Sequence, residues 1–219
     1  MFQQITGINV PFYYGPTVIA ELHIFGSTGG SYLSNAVFGI EASSILAIIN
    51  VLATLIGFRL IDSYGRRHLA LVGYGGMALF DFIGTALYLD HIAIGLLIGF
   101  AGFIIFFAFA VGGTGWLLQG EYFPTQYRGL FASLIAVVDW ISNFAIIEIF
   151  PVMHVDIGLG YTMAVFGVLS AIAVIIFYII MPETKGRSVE EVNEMFENNT
   201  LLKVKDALPP VEPSNAGKK

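Results

Sequence analysis

The chain has 219 residues, of which 56% are hydrophobic and only 12% charged, with a formal net charge of -6 and a mean hydropathy of +0.78. Soluble domains carry about 25% charged residues, so the composition points to an integral membrane protein with several spans and away from a soluble domain with a large core. The acidic balance leaves no basic footprint for nucleic acid, and the lack of cysteine removes disulfides, thiol nucleophiles and cysteine metal sites.

A helix crosses the hydrocarbon in about 20 apolar residues. That window predicts six spans, at roughly 2–22, 34–58, 69–89, 92–118, 129–150 and 160–181. The first is the weakest by hydropathy, because it contains QQITGINVPFYYGP, from Gln3 to Pro16. It has no positive region before it, and Gln3, Gln4 and Asn9 interrupt its apolar run, so it does not read as a signal peptide. Irregular backbone is tolerated at membrane depth where it lines a water-filled site, so the stretch reads as an interrupted helix.

Between the second and third spans lies GFRLIDSYGRRHL, Gly57 to Leu69, a tight turn with one acid and several bases. Part of that charge is topogenic. The sharper reading is an ion-pair latch, with Asp62 pairing to an arginine at a helix end and Gly65 allowing a sharp turn. Gly73 and Gly76, with Gly95, Gly99 and Gly102, read as sites of close helix contact. The next connection, GEYFPTQYRG, sets Glu121 and Arg128 on either side of a Pro124 turn. Two acids fall inside spans, Asp81 in the third and Asp139 in the fifth. An intramembrane carboxylate is costly and is a functional hypothesis by default. Asp139 reads as a substrate ligand, a proton carrier or the partner of another helix, against a satisfied packing acid, with Asn143 one turn away to hydrogen-bond it.

After Pro182 the composition turns polar. Ser188 and Glu191 fit a capping box, and Val192, Met195 and Phe196 a short apolar stripe. The domain reading is therefore a six-helix transmembrane bundle over 1–181 and a cytoplasmic tail over 182–219, with a short helix about 188–198 and a disordered end.

Six alternating spans put all 10 Lys and Arg on one side: Arg59, Arg66 and Arg67, then Arg128, then Lys185, Arg187, Lys203, Lys205, Lys218 and Lys219. The opposite loops hold only acids and histidines. The positive-inside rule places both termini in the cytoplasm of a multi-pass cell-membrane protein. Three successive connections on that side carry mixed charges, Asp62, Arg66, Arg67, Glu121, Arg128 and Glu183, able to hold one conformation closed and release it in another. His23, His68, His91 and His154 all fall in loops, with no metal pair at helical spacing and no nucleophile elbow. No enzyme, cofactor or metal site is expected.

Four motifs stand in order along nearly the whole chain. Gln3, Gln4, Thr6, Gly7 and Asn9 precede Tyr13 and Tyr14; Asp62, Gly65, Arg66 and Arg67 follow; then Trp116, Glu121, Phe123, Pro124, Thr125, Arg128 and Gly129; then Pro182 to Arg187 as PETKGR. The set resembles the C-terminal half of the sugar porters of the major facilitator superfamily. The resemblance implies an all-α membrane protein, six transmembrane helices forming the C-terminal bundle of a major facilitator fold. It implies sugar transport by alternating access, with the sugar near the bilayer midplane between two bundles. Carried over residue by residue, Gln3, Gln4 and Asn9 would bind the sugar, with Asn50 on the second span. Trp116 and its counterpart Trp140 would be stacking or gating aromatics, and Tyr13 and Tyr14 would close the outer gate. Amides suit a sugar because each donates and accepts, as each hydroxyl does. Their bland reading is interhelical hydrogen bonding, worth only about 0.6 kcal/mol on average; three clustered amides favour a site.

There are departures from the family pattern. VGGTGW, Val111 to Trp116, replaces a proline-rich run, Ala108 stands near the place of a family acid, and Asp139 stands where an amide is usual. The implied partners are a sugar, the lipid bilayer, a missing N-terminal six-helix bundle and, where transport is symport, protons. Met1 falls inside the helix that the family places first in this half, so the chain is expected to be a half-transporter or fragment. The alternatives are a carrier of another polar solute, such as a polyol or organic acid, and a non-transporting fragment.

Overall fold

In the computed structural model, residues 1–21, 32–92, 94–123, 126–187 and 191–192 are described. Among them all regular structure is helical. The helices are α1 Phe2–Ile5, α2 Val10–Tyr13, α3 Gly15–Glu21, α4 Tyr32–Tyr64, α5 Arg66–Leu89, α6 Ile94–Phe106, α7 Gly113–Tyr122, α8 Arg128–Ile157 and α9 Leu159–Ile180. A π-helical turn, Phe107–Gly112, joins α6 to α7. Five of these stretches are long and apolar enough to cross a membrane: Ala36–Tyr64, Arg66–Leu89, Ile94–Tyr122, Arg128–Ile157 and Leu159–Ile180. The first expected span is instead the broken series α1 to α3.

The helices run further than hydropathy alone suggests. The charged stretch Gly57–Leu69, expected as a turn, is helical except at Gly65, because a polar helix end can leave the hydrocarbon without unwinding. Likewise α8 continues through Pro151 to Ile157. His154 and Asp156, expected in a loop, belong to its last turns, where His154 stacks on Phe150 with centroids 5.9 Å apart. The expected tail helix about 188–198 lies outside the described residues except for Glu191 and Val192, which are helical, and the expected disordered end lies outside them entirely.

The core is built on α5, which packs along α6 on one side and α9 on the other. Small residues set those seams, since lipid-embedded helices gain from close packing rather than from apolar burial. A Cβ on Gly99 of α6 would lie 2.9 Å from the Gly84 Cα of α5, so the two backbones touch there. Against α9, the Thr85 hydroxyl donates to the Gly160 carbonyl at 3.1 Å. Met77, Leu96, Ile104 and Phe166 fill the space between. By contrast, α8 buries only a narrow stripe, Asp139, Asn143 and Phe150. The spacing of four and then seven residues keeps these on one helical face.

Candidate polar site and charged cluster

The broken first segment sets the site. Helix α1 ends at Thr6, and the chain turns through Gly7, whose φ of +87° few side chains adopt. A Cβ there would also press on the Phe166 ring at 3.0 Å, so glycine answers two demands at once. Pro11 then occupies the first turn of α2, where its missing N–H costs no helical bond. The result folds Asn9 back beside Gln4. Asn9 Nδ2 donates to Gln4 Oε1 at 2.7 Å and to Asn143 Oδ1 at 2.7 Å. Gln4 Nε2 donates to Asp139 Oδ2 at 2.6 Å. A continuous polar ladder therefore crosses from the broken segment to α8. The Met1 amino group lies 3.1 Å from Asp139 Oδ1. Asn143, expected to bond Asp139, bonds Asn9 instead, and Gln4 takes the carboxylate.

A cleft of about 180 Å³ opens beside the ladder, lined by Gln3, Tyr74, Thr114, Gln119 and Asp139 among others. The glycine run Gly112–Gly115 shapes one wall. Gln3 Oε1 would lie 2.9 Å from a Cβ on Gly115, so a larger residue there would push the amide away. The helix is not broken at this run but widened, by the π turn just before it. The Thr114 hydroxyl donates to the carbonyls of Ala110 at 2.6 Å and Val111 at 3.1 Å, giving those groups a partner where the α pattern is disturbed. Such π turns recur at functional sites.

The other expected site residues stand apart from the ladder. Asn50 is half-buried on α4, and its carbonyl accepts from the Thr54 hydroxyl at 2.8 Å. Trp116 and Trp140 are 49% and 63% exposed and do not line the cleft. Tyr13 is exposed, whereas the Tyr14 hydroxyl donates to the Ile147 carbonyl at 2.9 Å and its ring packs on Phe150 at 4.8 Å. The two tyrosines thus differ: one is tied to α8 and one faces outward.

At the basic end of the bundle, charged residues from three connections meet. The Arg66 side chain reaches Glu121 Oε1 from Nε at 3.1 Å and from a terminal nitrogen at 3.0 Å. Its contact with Asp62 is 3.3 Å, but the Asp62 side chain is 79% exposed, and such pairs contribute about 0–1 kcal/mol. Glu121 is the stronger partner. Glu183 does something different. Its two carboxylate oxygens accept from the backbone N–H of Arg66 at 3.0 Å and of Arg67 at 3.2 Å, capping the N-terminus of α5 where the helix dipole favours negative charge. It also accepts from the N–H of Thr184 and Lys185. The Arg67 guanidinium donates to the Tyr178 carbonyl at 2.7 Å and lies 5.4 Å from that ring's centroid. Arg128, expected in the same cluster, makes no ion pair among the described residues, and its Nε is buried without a partner among them.

Gly65 makes that cap possible. It has φ +88° and ψ 155°, a region essentially closed to other residues, and a Cβ would lie 2.5 Å from Glu183 Oε2. Gly65→Ala is expected to lower stability by about 2–3 kcal/mol from backbone strain alone, read as an earlier midpoint in thermal unfolding of the detergent-solubilised chain. An unchanged midpoint would show that the connection relaxes at no cost.

Some members of both clusters escaped the sequence reading. Tyr74, Thr114 and Gln119 line the cleft, yet each reads as an ordinary helix residue. Gln119 carried the clearest signal, a polar residue one turn beyond the glycine run. Thr184, whose hydroxyl donates to Glu121 Oε2 at 2.6 Å, joins the charged cluster unexpectedly, whereas Lys185, expected among the charges of the tail, donates from Nζ to the Ser63 carbonyl at 2.6 Å.

The chain is similar to known proteins over most of its length. The profile of the family described as "Sugar (and other) transporter" matches residues 1–196. An arabinose-proton symporter of Bacillus subtilis is 31% identical over 198 residues, which is 90% of this chain and 40% of that protein. A D-xylose-proton symporter of Escherichia coli is 30% identical over 207 residues, with 91% and 40% covered. Among solved structures, a double-tryptophan mutant of XylE superposes with a TM-score of 0.79 at 28% identity, over 89% of this chain and 40% of that one. The proton:xylose symporter XylE of the major facilitator superfamily, bound to 6-bromo-6-deoxy-D-glucose, gives 0.76 at 28% identity over the same shares. The chain spans about 40% of the length of the relatives it matches. The helical architecture, the profile match and the solved structures agree: this chain is a multi-pass membrane protein that belongs to the sugar porter family of the major facilitator superfamily.

Proposed function

We propose that the chain is one six-helix half of a sugar carrier that works by alternating access, completed by a second six-helix bundle. The ladder Asn143–Asn9–Gln4–Asp139 beside the cleft carries this reading. Amides that donate and accept are clustered there with a carboxylate, next to a cleft, on a chain of this family. Gln3, Gln4 and Asn9 bind sugar hydroxyls, and Asn50 contributes from α4. Trp116 and Trp140 cover the C–H faces of the ring once the second bundle closes on them, and Tyr13 swings over the outer entrance while Tyr14 anchors it. Asp139 carries the coupling proton or binds substrate. The basic end of the bundle faces the cytoplasm with both termini, and Arg66, Arg67, Glu121 and Glu183 form its latch.

The test joins this chain to the N-terminal half of a related pentose symporter and measures labelled-sugar uptake in vesicles, with and without a proton gradient. Arabinose and D-xylose are the first sugars to try, being those named for the relatives. Saturable, gradient-dependent uptake of a pentose or hexose is the expected result. Uptake of a polyol with none of any sugar would move the assignment to the second reading. That reading survives because Asp139 stands where an amide is usual; an organic anion would be repelled by the same carboxylate.

A further inference from the structure

Asp81 of α5 shares with the broken segment a cavity that no residue of the polar ladder lines. It is only 4% exposed, and its Oδ2 is buried with no hydrogen-bond partner among the described residues. It lines a small cavity of about 10 Å³, the size that admits one water. The break itself supplies one wall, with Thr6, Gly7, Val10 and Pro11; phenylalanine, leucine and methionine side chains of α6, α8 and α9 supply the rest. Among the described residues, no other titratable or charged side chain lines the cavity.

That lining decides the ligand. A hard metal cation needs a shell of six or more oxygens. Here the side chains offer Asp81 and the Thr6 hydroxyl, which already donates to the Gln3 carbonyl at 3.3 Å. An isolated carboxylate in apolar surroundings carries a large desolvation cost, and intramembrane acids are rare and mark functional sites, proton relays among them. We propose that Asp81 is a proton-binding site closed by the Thr6–Pro11 break, holding its proton in the arrangement seen here and releasing it when the break moves and water enters.

The same short segment touches the ladder through Gln4 and Asn9 and the cavity through Thr6 and Gly7. A movement of the break that rearranges the ladder therefore changes the surroundings of Asp81, and any coupling between the two is reciprocal. The proposal does not depend on what the ladder binds.

Infrared spectroscopy of the full chain in lipid vesicles, with isotope-labelled aspartate, tests it without transport. The expected result is a label-shifted carbonyl band of a protonated carboxyl at neutral pH. In an Asp139→Asn background, which removes any band from the ladder, the band should be present, and it should be lost when Asp81→Asn is added. A label-shifted band that survives in the double variant overturns the proposal, as does loss of the band on adding sodium chloride, which would mark a cation site. Should Asp81→Asn fail to insert, the wild-type titration still decides: absence of a protonated aspartate band at neutral pH overturns it.

Discussion

Gln4→Ala is expected to weaken sugar binding by roughly 100-fold in the joined transporter, the largest effect of any single replacement in the polar site. Gln4 is the middle rung of the ladder: it donates to Asp139 at 2.6 Å and accepts from Asn9 at 2.7 Å. Removing it leaves a carboxylate that is 5% exposed without its side-chain donor and frees Asn9 to turn away. Hydrogen bonds to charged groups are worth about 1.5–3 kcal/mol, and each 1.4 kcal/mol is tenfold in affinity. Equilibrium binding of labelled sugar to reconstituted protein reads the effect. Ser142→Ala on the same helix is the control, since that hydroxyl bonds only to its own turn, at the Val138 carbonyl. Equal binding by Gln4→Ala and Ser142→Ala would remove the ladder from the site.

Glu183→Ala is expected to lower the unfolding temperature of the detergent-solubilised chain by about 4–8 °C. The carboxylate accepts from four backbone N–H groups, two of them at the start of α5. Loss of a helix cap costs about 0.5–2 kcal/mol, and loss of a negative charge at a helix N-terminus about 0.3–1 kcal/mol. A total of about 2 kcal/mol corresponds to that shift for a chain of this size. Glu183→Gln keeps an acceptor oxygen but loses the charge, so it should fall between the two. Were Gln as damaging as Ala, the charge and not the cap would be the main contribution. Because Arg66 also binds Glu121 from the next connection, loosening the cap also loosens the joint between α5 and α7, and the same variant should show faster amide exchange there.

Much of this was legible from hydropathy. The last four expected spans fall on α5, the α6–α7 pair, α8 and α9, with ends displaced by a few residues, because a membrane demands about 20 apolar residues whatever the fold. The interrupted character of Gln3–Pro16 was legible from its glycines and prolines, which restrict local backbone choices without reference to any neighbour. The grouping of the basic residues followed from alternation of spans, and Arg66, Glu121 and Glu183 do meet. The π turn at Phe107–Gly112 left no local mark of that kind. A widened helix depends on what packs beside it, here Gly57 of α4, whose added Cβ would strike the Phe109 backbone.

The pairings were decided by the tertiary structure alone. Sequence placed Asn143 one turn from Asp139 and suggested a bond between them, but the partners are Asn9, 134 positions away, and Gln4, 135 positions away. It likewise set Glu183 among charges that pair with arginine side chains, whereas its oxygens take the N–H groups of Arg66 and Arg67. Arg128 has the charge for that cluster but not the position. The residues by themselves determined which segments are long and apolar enough to cross a bilayer, where the positive charge falls along the chain and which chemical groups are available, since these depend on composition and local spacing. Which acid meets which amide depends on how the broken segment α1–α2 and α8 are brought together, and that is set by side-chain packing between segments far apart in the chain, where periodicity carries no information.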